Sequence, residues 1–88
     1  MKNIIFDLDL TLVDTTICEP SRHERNWQQT YNLIPQCKLY EGIKEIFTII
    51  RKFGIKACIV STSPRPYIEK LVAQFNIPVK WIVGYHDV

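Results

Sequence analysis

Residues 4–11 read Ile4-Ile5-Phe6-Asp7-Leu8-Asp9-Leu10-Thr11, a short apolar run followed by two aspartates with one leucine between them. Consecutive apolar residues, two of them β-branched, predict a strand that continues through Leu8 and is buried on both faces. In an extended chain side chains alternate, so Asp7 and Asp9 are expected to project to one side and Leu8 to the other. Two carboxylates close together at a strand end repel each other unless a cation sits between them. Mg²⁺ would suit that place, because it takes oxygen ligands and favours one or two carboxylates plus a phosphate. A carboxylate can also act as a nucleophile and form an acyl phosphate. Its neighbour can then serve as acid and base in turn.

Outward from this stretch, helical and extended patterns alternate. Asp14 to about Arg25 is polar, with Pro20 as a helix start. Helical character runs through Trp27, Tyr31 and Ile34 and stops near Pro35. Ile43, Ile46, Phe47, Ile50 and Phe53 recur at i, i+3, i+4 and i+7, and Gly54 stands where a helix ends. Ile55 to Val60 is a second buried strand, ending in Ser61-Thr62-Ser63. Pro64 opens a third helix, where a missing N–H does no harm. Its apolar stripe is Ile68, Leu71, Val72 and Phe75, and Asn76 and Pro78 end it. Val79 to Tyr85 is the third strand. Strands separated by helices imply an α/β fold with a parallel sheet of about three strands and right-handed crossovers. Ligands of such sheets bind outside the carboxyl ends of the strands.

Composition sets the frame. At 88 residues the chain is one domain or less, with 47% hydrophobic and 23% charged residues. A formal net charge of +2 gives no argument for nucleic acid or an anionic membrane. No apolar run approaches the ~18 residues of a spanning helix, and the N-terminus does not read as a signal peptide. A soluble, cytoplasmic protein is expected. Three cysteines, Cys18, Cys37 and Cys58, with no C-x-x-C spacing, argue against a disulfide framework or a zinc site. His23 and His86 show no metal-ligand spacing.

The stretch Phe6 to Asp14, an apolar strand running into D-x-D-x-T, resembles the first signature of the haloacid dehalogenase-like hydrolase superfamily. Cys58-Ile59-Val60-Ser61 is similar to its second signature, an apolar strand ending in a hydroxyl residue. Ser61 through Tyr67, Tyr40-Glu41-Gly42-Ile43 and Ile82-Val83-Gly84-Tyr85 also read like that family. The resemblance implies a partial Rossmann-like sheet with flanking helices and a short, mostly helical cap-type insert at about residues 15–39. It implies a Mg²⁺-dependent phosphatase in which Asp7 is the nucleophile and Asp9 the general acid/base. Asp7 through its side chain and Asp9 through its backbone carbonyl would bind Mg²⁺. Thr11, Ser61, Thr62 and Arg65 would contact a phosphorylated small molecule or macromolecule. An aspartate at position 9 is the family's phosphatase form, whereas its ATPases carry threonine there.

The family pattern also asks for a lysine or arginine after the third strand and further aspartates after a fourth. Neither Lys70 nor Lys80 stands at the first position, and Asp87 follows the third strand. The chain therefore reads as a single truncated domain, residues 1–88, with little activity expected of it alone. A non-catalytic fragment that acts as a binding or partner-dependent module is the alternative. A receiver domain is a more distant one. The strand Ile4–Leu8 is expected to lie at a sheet edge with no proline or lysine guarding it, open to a second copy or a missing C-terminal segment. Some residues have simpler readings: Asp14 as a turn or helix cap, Ser63 as a cap or phosphate contact, Arg65 as a solvated first-turn residue, and Trp27 and Trp81 as packing residues.

Overall fold

The structure, a computed structural model, describes residues 2–84. Its elements in chain order are β1 (Asn3–Phe6), β2 (Val13–Asp14), α1 (Glu19–His23), α2 (Trp27–Leu33), β3 (Lys38–Leu39), α3 (Ile43–Lys52), β4 (Lys56–Val60), α4 (Arg65–Phe75) and β5 (Trp81–Val83). Single 3-10 turns lie at Thr16–Cys18 and Ile34–Gln36. The expected alternation is present, and β1, β4 and β5 form a three-stranded parallel sheet with β4 in the middle.

Both crossovers step in the same direction across the sheet, so right-handed connections bring α3 and α4 to the same face. The register divides the residues accordingly. Ile4 opposite Ala57, and Phe6 opposite Ile59 opposite Ile82, form the covered face. Ala57 and Ile59 are buried there, and the Phe6 ring meets Phe47 of α3 at 5.3 Å between centroids. The other face carries Ile5, Cys58 and Trp81 in one row, with Val60 beside Val83. Ile5 is 68% exposed, Trp81 48% and Val60 43%. The expectation of strands buried on both faces is thus corrected: one face is covered and the other is open, because every helix lying over the sheet arrives through a same-handed crossover. Trp81 is likewise not a core residue; its ring lies 5.9 Å from the Lys56 ammonium on that open face.

The helix ends follow their sequence signals. After α3, Gly54 at φ +68° takes the left-handed conformation. The N–H groups of Gly54 and Ile55 then return to the carbonyls of Arg51 and Ile50, closing a Schellman motif. Asn76, at φ +52°, does the same for α4, with Asn76 bonded to Ala73 and Ile77 to Val72. The apolar stripe of α3 is narrower than its spacing predicts. Ile43, Phe47 and Ile50 are buried, while Ile46 and Phe53 lie exposed. A short helix on a three-stranded sheet has only one line of contact to offer.

The chain leaves β1 through a tight corner. The regular strand ends at Phe6, and the Leu8 carbonyl accepts N–H bonds from Thr11, Leu12 and Val13. Leu10 sits at φ +61° within this turn. Leu8 therefore lies outside the strand, correcting the Ile4–Leu8 boundary, and it is fully buried with Leu12 and Val13. Burying a leucine contributes about 1.5–3 kcal/mol, which anchors the aspartates on either side of Leu8. An antiparallel ribbon missing from the sequence reading pairs Val13 with Leu39 and Asp14 with Lys38. It closes the base of the insert close to the expected boundaries of 15 and 39. Within the insert, α1 and α2 share a buried hydroxyl pair, Ser21 Oγ and Thr30 Oγ1 at 2.6 Å. No helix among the described residues is long and apolar enough to cross a membrane.

Candidate functional site

Three segments meet at the carboxyl ends of β1 and β4: the corner Asp7–Asp9, the loop Ser61–Ser63, and the insert through Thr15 and Arg22. The two aspartates sit differently. Asp7 is exposed, and among the described residues its Oδ1 accepts only the neighbouring Leu8 N–H, at 2.8 Å. Asp9 is drawn inward. Its Oδ1 accepts from Thr15 Oγ1 at 2.7 Å and from Tyr67 Oη at 2.6 Å. Its Oδ2 accepts from Ser63 Oγ and forms an ion pair with Arg22 Nη2, each at 3.3 Å. Four donors fill the acceptor capacity of an ionised carboxylate.

Tyr67 is fully buried on α4 and touches the Trp27 ring at 5.8 Å. Burial first, and then its bond to Asp9, push the phenol well above its ordinary value, so it remains a donor. Arg22 reaches the site from α1. Its guanidinium lies 5.1 Å from the centre of the Tyr67 ring and donates to Ser63 Oγ at 2.9 Å. Its Nε is buried and has no hydrogen-bond partner among the described residues.

The remaining expected site residues are distributed unevenly. Ser61 is buried, and its Oγ accepts the Ser63 N–H at 3.1 Å. Thr62 is exposed and lines a cavity beside Arg22. Thr11 is exposed on the corner after Asp9. Arg65 turns along β5, where its Nη1 donates to the Ile82 carbonyl at 2.8 Å. Ser63 caps no helix, since Pro64 holds the N-cap of α4; it bridges Asp9 and Arg22 instead. Asp14 is a turn aspartate, accepting the Thr16 N–H at 3.1 Å and its hydroxyl at 2.6 Å. Gly84, just after β5, lies against the backbone that opens α4, where a Cβ would lie 3.0 Å from the Arg65 backbone nitrogen. Asp87 lies outside the described residues.

Thr15, Arg22 and Tyr67 were missed in the sequence. Tyr67 did carry a signal: it stands four residues before Leu71 on the buried stripe of α4, and a buried tyrosine needs a partner for its hydroxyl. Thr15 and Arg22 lie in a polar stretch without periodicity, and nothing local marks them.

Among the described residues no group of three or more His, Cys, Asp or Glu side chains could hold a metal ion. A hard cation at the corner would have the exposed Asp7 carboxylate as its side-chain ligand, since the Asp9 side chain is engaged by its own donors. Comparison of the chain with protein-family models, with curated proteins and with solved structures returns no match.

Proposed function

We propose that this chain carries the nucleophile half of a haloacid dehalogenase-type, Mg²⁺-dependent phosphomonoesterase site on a Rossmann-like sheet. The observation that supports this reading most directly is the contrast between the aspartates. Asp7 is exposed at the end of β1 with a single local bond, while Asp9 is held by a network from α1, α4 and the Ser61–Ser63 loop. A nucleophile must be accessible, and an acid/base group must be oriented.

In this mechanism an Asp7 oxygen attacks phosphorus and the ester P–O bond breaks. Asp9, which must first exchange one of its four present donors for a proton, gives that proton to the departing oxygen. Water, losing a proton to Asp9, then releases phosphate from the acyl phosphate. Asp9 shares its network with Tyr67, Thr15 and Ser63, any of which can re-form its bonds as the proton leaves and returns. The Ser61 hydroxyl accepts one N–H and keeps its own proton to donate to a phosphoryl oxygen. Thr62, exposed next to it, is a second contact. Mg²⁺, held by Asp7 and the Asp9 carbonyl, would offset the charge between carboxylate and phosphoryl oxygens.

The test is hydrolysis of phenyl phosphate with Mg²⁺, with chelator, and in Asp7→Asn, each with the chain complemented by a segment that supplies the lysine and later aspartates of the family pattern, because the chain alone is expected to turn over little. The expected result is chelator-sensitive turnover that Asp7→Asn abolishes, because an amide cannot form the acyl phosphate. Full turnover by a pure Asp7→Asn protein sinks the assignment. The second reading, a non-catalytic module, is favoured by the open sheet face with Ile5, Val60 and Trp81 exposed. It predicts no hydrolysis even by the complemented chain, and association through that face.

A further inference from the structure

Two of the three cysteines meet at the base of the insert. Cys18 ends the 3-10 turn before α1, and Cys37 immediately precedes β3. Both are buried free thiols, and their sulfurs lie 3.5 Å apart. We infer that Cys18 and Cys37 form a redox site, a dithiol that closes to a disulfide and staples the two ends of the insert together.

The geometry is close to what the bond needs. A disulfide brings its sulfurs to about 2.05 Å, so about 1.5 Å of approach remains. Sulfurs already in contact belong to side chains that face each other, a condition that spacing along the chain does not reveal. Little holds the thiols apart. Cys18 donates to the Thr30 carbonyl at 3.9 Å and Cys37 to the Leu33 carbonyl at 3.8 Å, both long bonds from a weak donor. Cys58 does not compete for either sulfur, because it stands in a row with Ile5 and Trp81 on the open face of the sheet.

The oxidant is a low-molecular-weight disulfide such as oxidised glutathione. One cysteine, as thiolate, attacks it, forming a mixed disulfide and expelling one small thiolate. The second cysteine, also as thiolate, attacks the protein sulfur of that mixed disulfide, forming the Cys18–Cys37 bond and expelling the second small thiolate. The two protons lost by the cysteines end on the two small thiols, and the pair has given up two electrons. Burial keeps both thiols protonated in the closed fold, so exchange runs during folding or through openings of the insert. Reclosing favours the compact disulfide, because a bulky mixed one does not fit the buried space. The bond encloses residues 19–36, all of α1 and α2, next to the Asp14–Lys38 pair of the ribbon. Cys18 also stands between Thr15, whose carbonyl accepts its N–H at 2.9 Å, and Arg22, so the staple steadies a segment that carries two partners of Asp9.

The test equilibrates the chain with mixtures of reduced and oxidised glutathione, starting once from the folded dithiol and once from the reduced chain refolded out of denaturant. Remaining thiols are then blocked with N-ethylmaleimide in denaturant, and intact mass and peptide mapping locate the bond. The expected product has lost two hydrogens, joins the Cys18 peptide to the Cys37 peptide and carries maleimide on Cys58. Its melting midpoint should rise by roughly 10–20 °C, the size expected when a loop of this length is closed, and a dithiol reductant should reverse the shift. Cys37→Ser should lose both the bond and the shift. Separate glutathione adducts on Cys18 and Cys37, two free thiols at the most oxidising mixture, a bond to Cys58, or a crosslinked chain that melts no higher overturns the proposal. The wild-type chain decides even if the variant fails to fold.

Discussion

Replacing Tyr67 with phenylalanine isolates one strand of the network around Asp9. The ring is fully buried and keeps its contacts with Trp27 and the Arg22 guanidinium. Only the hydroxyl is lost, and with it a 2.6 Å bond to a carboxylate oxygen. A hydrogen bond to a charged group is worth about 1.5–3 kcal/mol, about twice a neutral one. The unfolding entropy of a chain this size is roughly 0.18 kcal/mol/K, from about 2.1 cal/mol/K per residue. Tyr67→Phe should therefore lower the midpoint of thermal unfolding by roughly 8–16 °C. Circular dichroism melts of the two proteins at neutral pH measure it. Repeating the substitution in an Asp9→Asn background should roughly halve the loss, because the acceptor is then neutral. A drop under about 2 °C in the first comparison, or an undiminished drop in the second, would show that the phenol is not spent on Asp9.

Three other outcomes are expected. Asp14 is held below its ordinary value of 3.8, chiefly by the Thr16 hydroxyl and then by the Thr16 N–H. A depressed carboxylate stabilises the fold above its unfolded value and loses that effect as pH falls, so the melting difference between wild type and Asp14→Ala should be full at pH 7 and should shrink below pH 3.8; a difference that grows on acidification would reverse the sign. Burial pushes the Cys37 thiol up to about 12 and raises that of Cys18, and their sulfurs lie 3.5 Å apart. Maleimide labelling of the native chain at pH 7 followed by mass analysis should modify Cys58 first, with Cys18 and Cys37 reacting only on unfolding; early labelling of Cys37 would contradict its burial. Finally, Ile5 is 68% exposed on an edge strand, so the chain should self-associate with rising concentration and Ile5→Lys should suppress this in size-exclusion chromatography; a wild-type monomer throughout would mean the edge is protected.

Local patterns carried the element order, because each element is specified by neighbours in sequence. The stripe Ile43, Phe47, Ile50 and the stops at Gly54 and Asn76 lie within single helices, and the ends behave as their residue types require. What failed was the environment of those elements. An apolar run such as Ile4-Ile5-Phe6 does not say whether one or two layers cover it, and here only one does. The ribbon of Val13–Asp14 with Lys38–Leu39 was hidden because two-residue strands have no period to detect. The site was half legible for the same reason. Asp7 and Asp9 announce themselves within one strand end, but the partners of Asp9 come from up to 58 positions away, through Tyr67.

That long-range network changes how the two aspartates can be interrogated. Asp9 ties α1, α4, the corner after β1 and the loop after β4 to one carboxylate. Removing it would leave Arg22 without its ion pair and Tyr67 without its acceptor, both in partly or fully buried positions. An uncompensated charge of that kind is destabilising by several kcal/mol, about 3–5 in buried pairs and less here, where Arg22 is partly solvated. Activity lost in an Asp9 variant would thus mix a missing proton donor with a disrupted site. Asp7 has no such entanglement among the described residues: it is exposed and bonds there only to the next residue. A substitution there should leave the melting curve nearly unchanged, so its effect on turnover reports on chemistry alone. The corner separates the two aspartates, with Asp9 held by the fold and Asp7 left exposed.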